Sequence, residues 1–251
     1  MTSVDAVVAR MTALSARLPP HDGVAVFNAV YLSVTRELNG RLGSGFFPHP
    51  GRTAELGARF AARYLLAVEA EEAGSRPPDC WRPLFRLRHH RDVRPTQFAL
   101  AGINAHVGHD LPLAVLDTCV ALGVEPPALE TDFERVGDVL EAIEERVREE
   151  LMPGPDLLEL ADPLTHLLGS WSLERARDAA WSTAGLLWRL RELPVVYEEF
   201  ARRLDAGVGL VGRCLLTPLP YGPDRGPVVP GRLPYPISRQ SSGSSTGAIS
   251  S

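Results

Sequence analysis

The chain has 251 residues, 45% of them hydrophobic, enough to bury a sizeable core in one large domain or two small ones. Its 31 acidic residues outweigh 26 basic ones for a net charge of -5, which argues against a general nucleic-acid binder, whose affinity comes mostly from a basic surface. Cys80, Cys119 and Cys214 are far apart, odd in number and without C-x-x-C spacing, which argues against a zinc finger or a disulfide framework and for reduced thiols.

Residues 4–18 place Val4, Val7, Val8, Met11, Leu14 and Leu18 at spacings of three and four, the apolar stripe of a helix that Pro19-Pro20 ends. This N-terminal stretch has no continuous apolar run of the secretory type, and no run approaches the roughly 20 residues that cross a bilayer. A cytoplasmic protein without a transmembrane segment is the expectation. Asp22 suits the N-cap of a second helix over 23–42, with Phe27, Tyr31 and Leu38 on its stripe. The glycines and prolines of 40–51 mark a loop, in which Phe46, Phe47 and His49 either line a pocket mouth or pin the loop to the core. Thr53 is expected to cap a third helix over 53–73, and a short one starts near Trp81.

Pro95 suits the start of a long helix running to Leu122, with Gly123 as its C-cap. Glu125-Pro-Pro-Ala is a linker. Asp132 begins a helix over 132–151 whose other face carries Glu and Arg at i,i+4 distances, the mark of a solvated face. A short helix interrupted at Pro163 is expected within 156–168, then helices over 171–191 and from 194 through the glycine-rich stretch beyond 206. No stretch alternates with period two and no repeat is seen. The expected fold is all-α, a single-domain bundle of about seven to nine helices over 1–216. Residues 217–251, rich in Pro, Gly and Ser, are expected to be a largely disordered tail.

The most apolar long stretch, Phe98 to Cys119, also carries Asn104, His106, His109, Asp110 and Asp117. Buried polar groups cost free energy unless they find partners, so this run marks the candidate site. On a helix His109 and Asp110 share the face of His106, and Asp117 lies two turns beyond Asp110, whereas Asn104 projects about 200° from His106. Gly102 and Gly108 admit a close neighbour. Pro112 removes the hydrogen bond to the Gly108 carbonyl, and a kink there would shape a pocket.

Three readings stay open. His106, Asp110 and His109 could bind a divalent metal such as zinc, with a further ligand from His49, Glu37, Asp22, His166 or Asp178. His106 and Asp110 could be an acid/base pair in which the carboxylate fixes the imidazole tautomer. Or they are structural polar groups that brace helices. Arg177 is a candidate partner of Asp110 or of an anionic substrate, and Tyr31, Phe47 and Trp181 are candidate pocket residues.

The segment G-I-N-A-H-V-G-H-D-L-P-L-A, with F-N-A-V-Y-L-S-V-T and F-A-A-R-Y-L before it, resembles an actinobacterial family of uncharacterised proteins with a G-x-N-A-H-x-x-x-D-L signature. The resemblance covers roughly residues 20–205. It implies that Asn104, His106 and Asp110 belong to the signature, while His109 falls outside it. A looser similarity links the His106/Asp110 pair to the H-x-x-x-D pair of helical zinc phospholipases and nucleases, without their other ligand spacings. The expectation is an enzyme for a small apolar or amphipathic molecule in bacterial secondary or lipid-like metabolism. Its chemistry would be that of a metal-dependent hydrolase or of an acid/base cyclase or isomerase, with His106, Asp110, Asn104 and Arg177 catalytic. The alternative is a non-catalytic helical binding or scaffold protein.

Overall fold

The computed structural model describes residues 3–151 and 172–218, and of residues 141–151 the backbone alone. The segment 156–168, and the expected tail beyond its first two residues, lie outside the described residues. All regular structure among the described residues is helical. In chain order it comprises α1 (Val4–Arg17), α2 (Gly23–Leu42), α3 (Pro50–Glu72), α4 (Arg82–Leu87) and α5 (Pro95–Ala105). A single π turn (His106–Asp110) joins α5 to α6 (Leu111–Leu122). A 3-10 turn (Pro126–Leu129) leads to α7 (Glu130–Leu151), followed by α8 (Leu173–Leu190) and α9 (Pro194–Leu215).

The α5–π–α6 rod is the axis of the packing. Helices α2 and α9 flank its α5 half, while α3 and α8 flank its α6 half. Helix α1 lies across α2 and α3, and α7 reaches both of the latter. Gly102 lets α2 come this close: a Cβ there would meet the Phe27 ring at 2.3 Å. Gly108 faces Val208 of α9 more loosely, at 3.2 Å. Two apolar clusters divide the rod between them. One gathers Phe27, Tyr31, Tyr64, Trp81 and Phe98 around α5, the other Val107, Leu111, Val115, Phe133 and Ala184 around α6.

Local signals explain most boundaries. Asp22 caps α2, its carboxylate accepting the Val24 N–H at 2.8 Å, and Arg88 closes on the same carboxylate from the end of α4. Gly123 ends α6 in the left-handed conformation at φ 62, where a side chain is strained. Ser172 accepts the Arg175 N–H and caps α8. Two expectations need correction. Helix α3 starts at Pro50, whose missing donor costs nothing in a first turn, and Thr53 sits inside it with its hydroxyl on the His49 carbonyl. The linker after Glu125 is wound into a 3-10 turn.

At Pro112 the rod continues. The Leu111 N–H reaches the His106 carbonyl, five residues back, so the preceding turn is widened to π spacing. The extra room relieves the clash a proline ring makes with the carbonyl four residues earlier. Among the described residues no single helix is long and apolar enough to cross a membrane.

Candidate functional site

The π turn gathers polar side chains at the middle of the rod. In a regular α-helix residues four apart are offset by about 40°, and the wider turn brings them closer into line. Asp110, 1% exposed, receives three N–H donors. His106 Nδ1 donates to its Oδ2 at 2.9 Å, His109 Nδ1 to its Oδ1 at 2.9 Å, and the Trp81 indole N–H to Oδ2 at 3.0 Å. Burial by itself would raise the Asp110 pKa. The hydrogen bonds from His106 and His109, with the charge those rings can carry, outweigh it and hold the carboxyl below its ordinary value. Asp110 is therefore an ionised acceptor, and an acceptor-only group fixes the hydrogen of each imidazole on Nδ1.

That leaves Nε2 of each ring as the free position, and the two meet different surroundings. His106 is 2% exposed and enclosed by aromatic rings. Phe60 of α3 stacks on it, with centroids 3.6 Å apart and planes at 7°, and Tyr31 of α2 meets it edge-on at 4.3 Å. Its Nε2 is buried and has no hydrogen-bond partner. Burial lowers the His106 pKa below its ordinary value, with Asp110 opposing, so the ring is held neutral. The ring lines an almost wholly apolar cavity of about 150 Å³ between α2, α3, the rod, α7 and α8. Tyr31, Phe60, Ile103, Phe133 and Arg177 also line it. Burial, then the Asp110 charge, raises the Tyr31 phenol well above its ordinary pKa, so Tyr31 stays protonated and can donate.

The His109 ring faces the other way. Its Nε2 is 3.8 Å from Asp205 Oδ1 of α9. Cys80, just before α4, completes a group in which one ligand atom from each of Cys80, His109 and Asp205 lies within 4.8 Å of the others. Asp205 also accepts the Asp79 N–H at 2.9 Å and the Cys80 N–H at 2.8 Å. Burial first, then the nearby charges of Asp110 and Asp205, push the Cys80 thiol well above its ordinary pKa.

The remaining expected residues divide. Tyr31 joins His106 at the cavity, and Arg177 lines it too, but Arg177 does not pair with Asp110. Its guanidinium donates to the Phe133 carbonyl, lies 4.7 Å from the centre of the Phe133 ring and fills the space above Gly137. Asn104 turns away from Asp110 and donates to the Val208 carbonyl at 3.0 Å, bracing α9. Phe47 packs with Val139 and Leu38 and pins its loop, and Trp181 packs on Phe133 at 4.7 Å; neither lines the cavity. Asp117 pairs with Arg63 at 2.5 Å.

The expected ligand set of His106, His109 and Asp110 also takes another form. Both imidazoles spend Nδ1 on the carboxylate, and their free nitrogens serve separate environments. Of the further ligands considered, His49 is bound to Asp132 and Asp22 to Arg88, Glu37 pairs with Arg41, Asp178 is exposed, and His166 lies outside the described residues. Cys80 and Asp205 carried no sequence signal. They are distant from His109 along the chain and belong to no spacing motif, and only the fold brings them together.

No curated protein and no solved structure matches the chain. Residues 4–218 match the family of unknown function DUF5995, and the chain belongs to that family.

Proposed function

We propose that the chain is a small-molecule enzyme in which His106, oriented by Asp110, acts as general base on an apolar or amphipathic substrate seated in the cavity. The observation that carries this reading is the buried Nε2 of His106, without a partner on a ring that lines the cavity. An unpaired buried acceptor costs about 1–3 kcal/mol, a cost that a bracing histidine has no reason to bear. A neutral imidazole with its tautomer fixed by a carboxylate is the form a general base needs. The apolar lining selects the substrate, and the Tyr31 phenol, which lines the same cavity, is a donor for it. Arg177, on the same cavity wall, suits an anionic end of an amphipathic molecule. Hydrolysis and proton transfer at carbon both fit this arrangement.

Two assays with named probes test it: hydrolysis of p-nitrophenyl esters of graded acyl length, and deuterium exchange into medium-chain ketones in heavy water. The expected result is catalysis of at least one reaction, reduced by about 10²–10⁴-fold in His106→Gln with the helical fold retained. Equal rates for wild type and His106→Gln in both assays would contradict the proposal. A binding protein is the second reading, favoured by one feature: no Ser, Cys or carboxylate side chain lines the cavity among the described residues. It predicts saturable uptake of the same molecules and their return unchanged.

A further inference from the structure

The geometry points to a second site: Cys80, His109 and Asp205 form a three-ligand centre for a zinc-class divalent cation, on the opposite side of Asp110 from the cavity. The charge pattern asks for a cation there. With Nδ1 bonded to Asp110, His109 turns its Nε2 toward Asp205 Oδ1, 3.8 Å away. Two electron-rich atoms at that distance repel unless something positive lies between them. A metal ion between them would be held by both. Cys80, whose thiol is hydrogen-bonded to Asp205, stands on the third side, and sulfur with imidazole and carboxylate is the donor set that a borderline-soft cation such as zinc selects.

The spacing is near that of a filled site. Tetrahedral ligands at zinc–nitrogen and zinc–oxygen distances of about 2.0–2.1 Å stand about 3.4 Å apart, so the observed 3.8 Å closes by about 0.4 Å when the ion binds. Two of the three ligands, His109 and Asp205, are also held from behind, as metal ligands are. Asp110 fixes the His109 tautomer and the Asp79 and Cys80 N–H groups orient the Asp205 carboxylate. Gly209 lets α9 lie against that loop, since a Cβ there would meet the Asp79 carbonyl at 2.5 Å. Three segments distant in sequence thus converge at a point where Asp205 remains one-fifth exposed. A groove of about 520 Å³ lined by Asp79, Arg82 and Ala206 opens alongside. The three protein ligands leave a fourth position for water or a further ligand, and binding displaces the thiol proton of Cys80.

Cobalt(II), which takes zinc's ligands and absorbs strongly when a thiolate binds it, is the probe. Titration of the metal-free full chain is expected to saturate near one equivalent with a thiolate-to-cobalt band, and zinc is expected to displace it. Cys80→Ser should lose the band, Asp205→Asn should weaken binding while its one amide oxygen keeps one of the two backbone N–H groups, and His106→Gln should keep both band and stoichiometry. Circular dichroism checks that each variant is folded. Three results would overturn the site: no saturable binding to folded wild type, binding without the thiolate band, or a band unchanged in Cys80→Ser. None of these readings depends on the role of His106, so the two sites stand or fall separately.

Discussion

Two imidazoles, three residues apart on one turn, share one carboxylate and live in opposite worlds. His106 is stacked on Phe60, edge-on to Tyr31, and its Nε2 has no partner. His109 faces a carboxylate and lies within 4.8 Å of a thiol. The same residue type with the same Nδ1 bond therefore carries two chemistries, and the difference comes from what α2 and α3 on one side, and α9 on the other, bring to the rod. A carboxylate between them takes Nδ1 of both rings and so aims the second nitrogen at each environment. The teaching is that the second ring nitrogen, rather than the presence of a histidine, is what assigns a role.

Removing the shared element should have the largest effect. Asp110→Ala strips the acceptor from His106, His109 and Trp81 at once and leaves three buried donors without it. Each buried donor left without its acceptor costs roughly 1–3 kcal/mol, so the three together should cost several. Urea unfolding of the variant should show a loss of that size, and a loss under about 1 kcal/mol would mean that Asp110 does not hold the two rings together.

Acid should separate the two rings with a smaller effect. Burial lowers the His106 pKa, so the unfolded chain binds a proton near the ordinary histidine value while the folded chain does not. Stability from this group is present above that value and is lost as pH falls toward the lowered one. Asp110, also lowered, loses its contribution further down, below the ordinary carboxylate range, so both groups make acid destabilising. A stability–pH profile should fall below about pH 6.5, and His106→Gln should flatten that part of it. A wild-type profile that rises on acidification through this range would show that the buried ring prefers its charged form.

The extent to which the chain announces this arrangement varies by residue. Asp22 and Gly123 were legible as caps because their chemistry is local: a short carboxylate beside free N–H groups, and a residue without Cβ where φ is positive. The His106/Asp110 pair was legible because helical spacing is enough to bring it together. Thr53 misled because Pro50 offers an equally good start three residues earlier. Pro112 announced a disturbance but not its form: relief by a kink or by a π turn depends on whether the neighbours allow the rod to bend. Asn104 misled because its partner is a carbonyl of α9, outside any local pattern. Cys80 and Asp205 were illegible for the same reason, since contact across the bundle leaves no trace in spacing.

The most direct test of the central claim is nitrogen-15 NMR of the histidine rings in the full chain at neutral pH, with His106 assigned by comparison with His106→Gln. The account predicts a neutral His106 ring with the hydrogen on Nδ1 and a bare Nε2. Its Nε2 resonance should move when a short aliphatic alcohol such as 1-hexanol occupies the cavity and donates to it. A proton found on Nε2, or an Nε2 resonance indifferent to saturating alcohol, would contradict the proposal that this nitrogen is the working base.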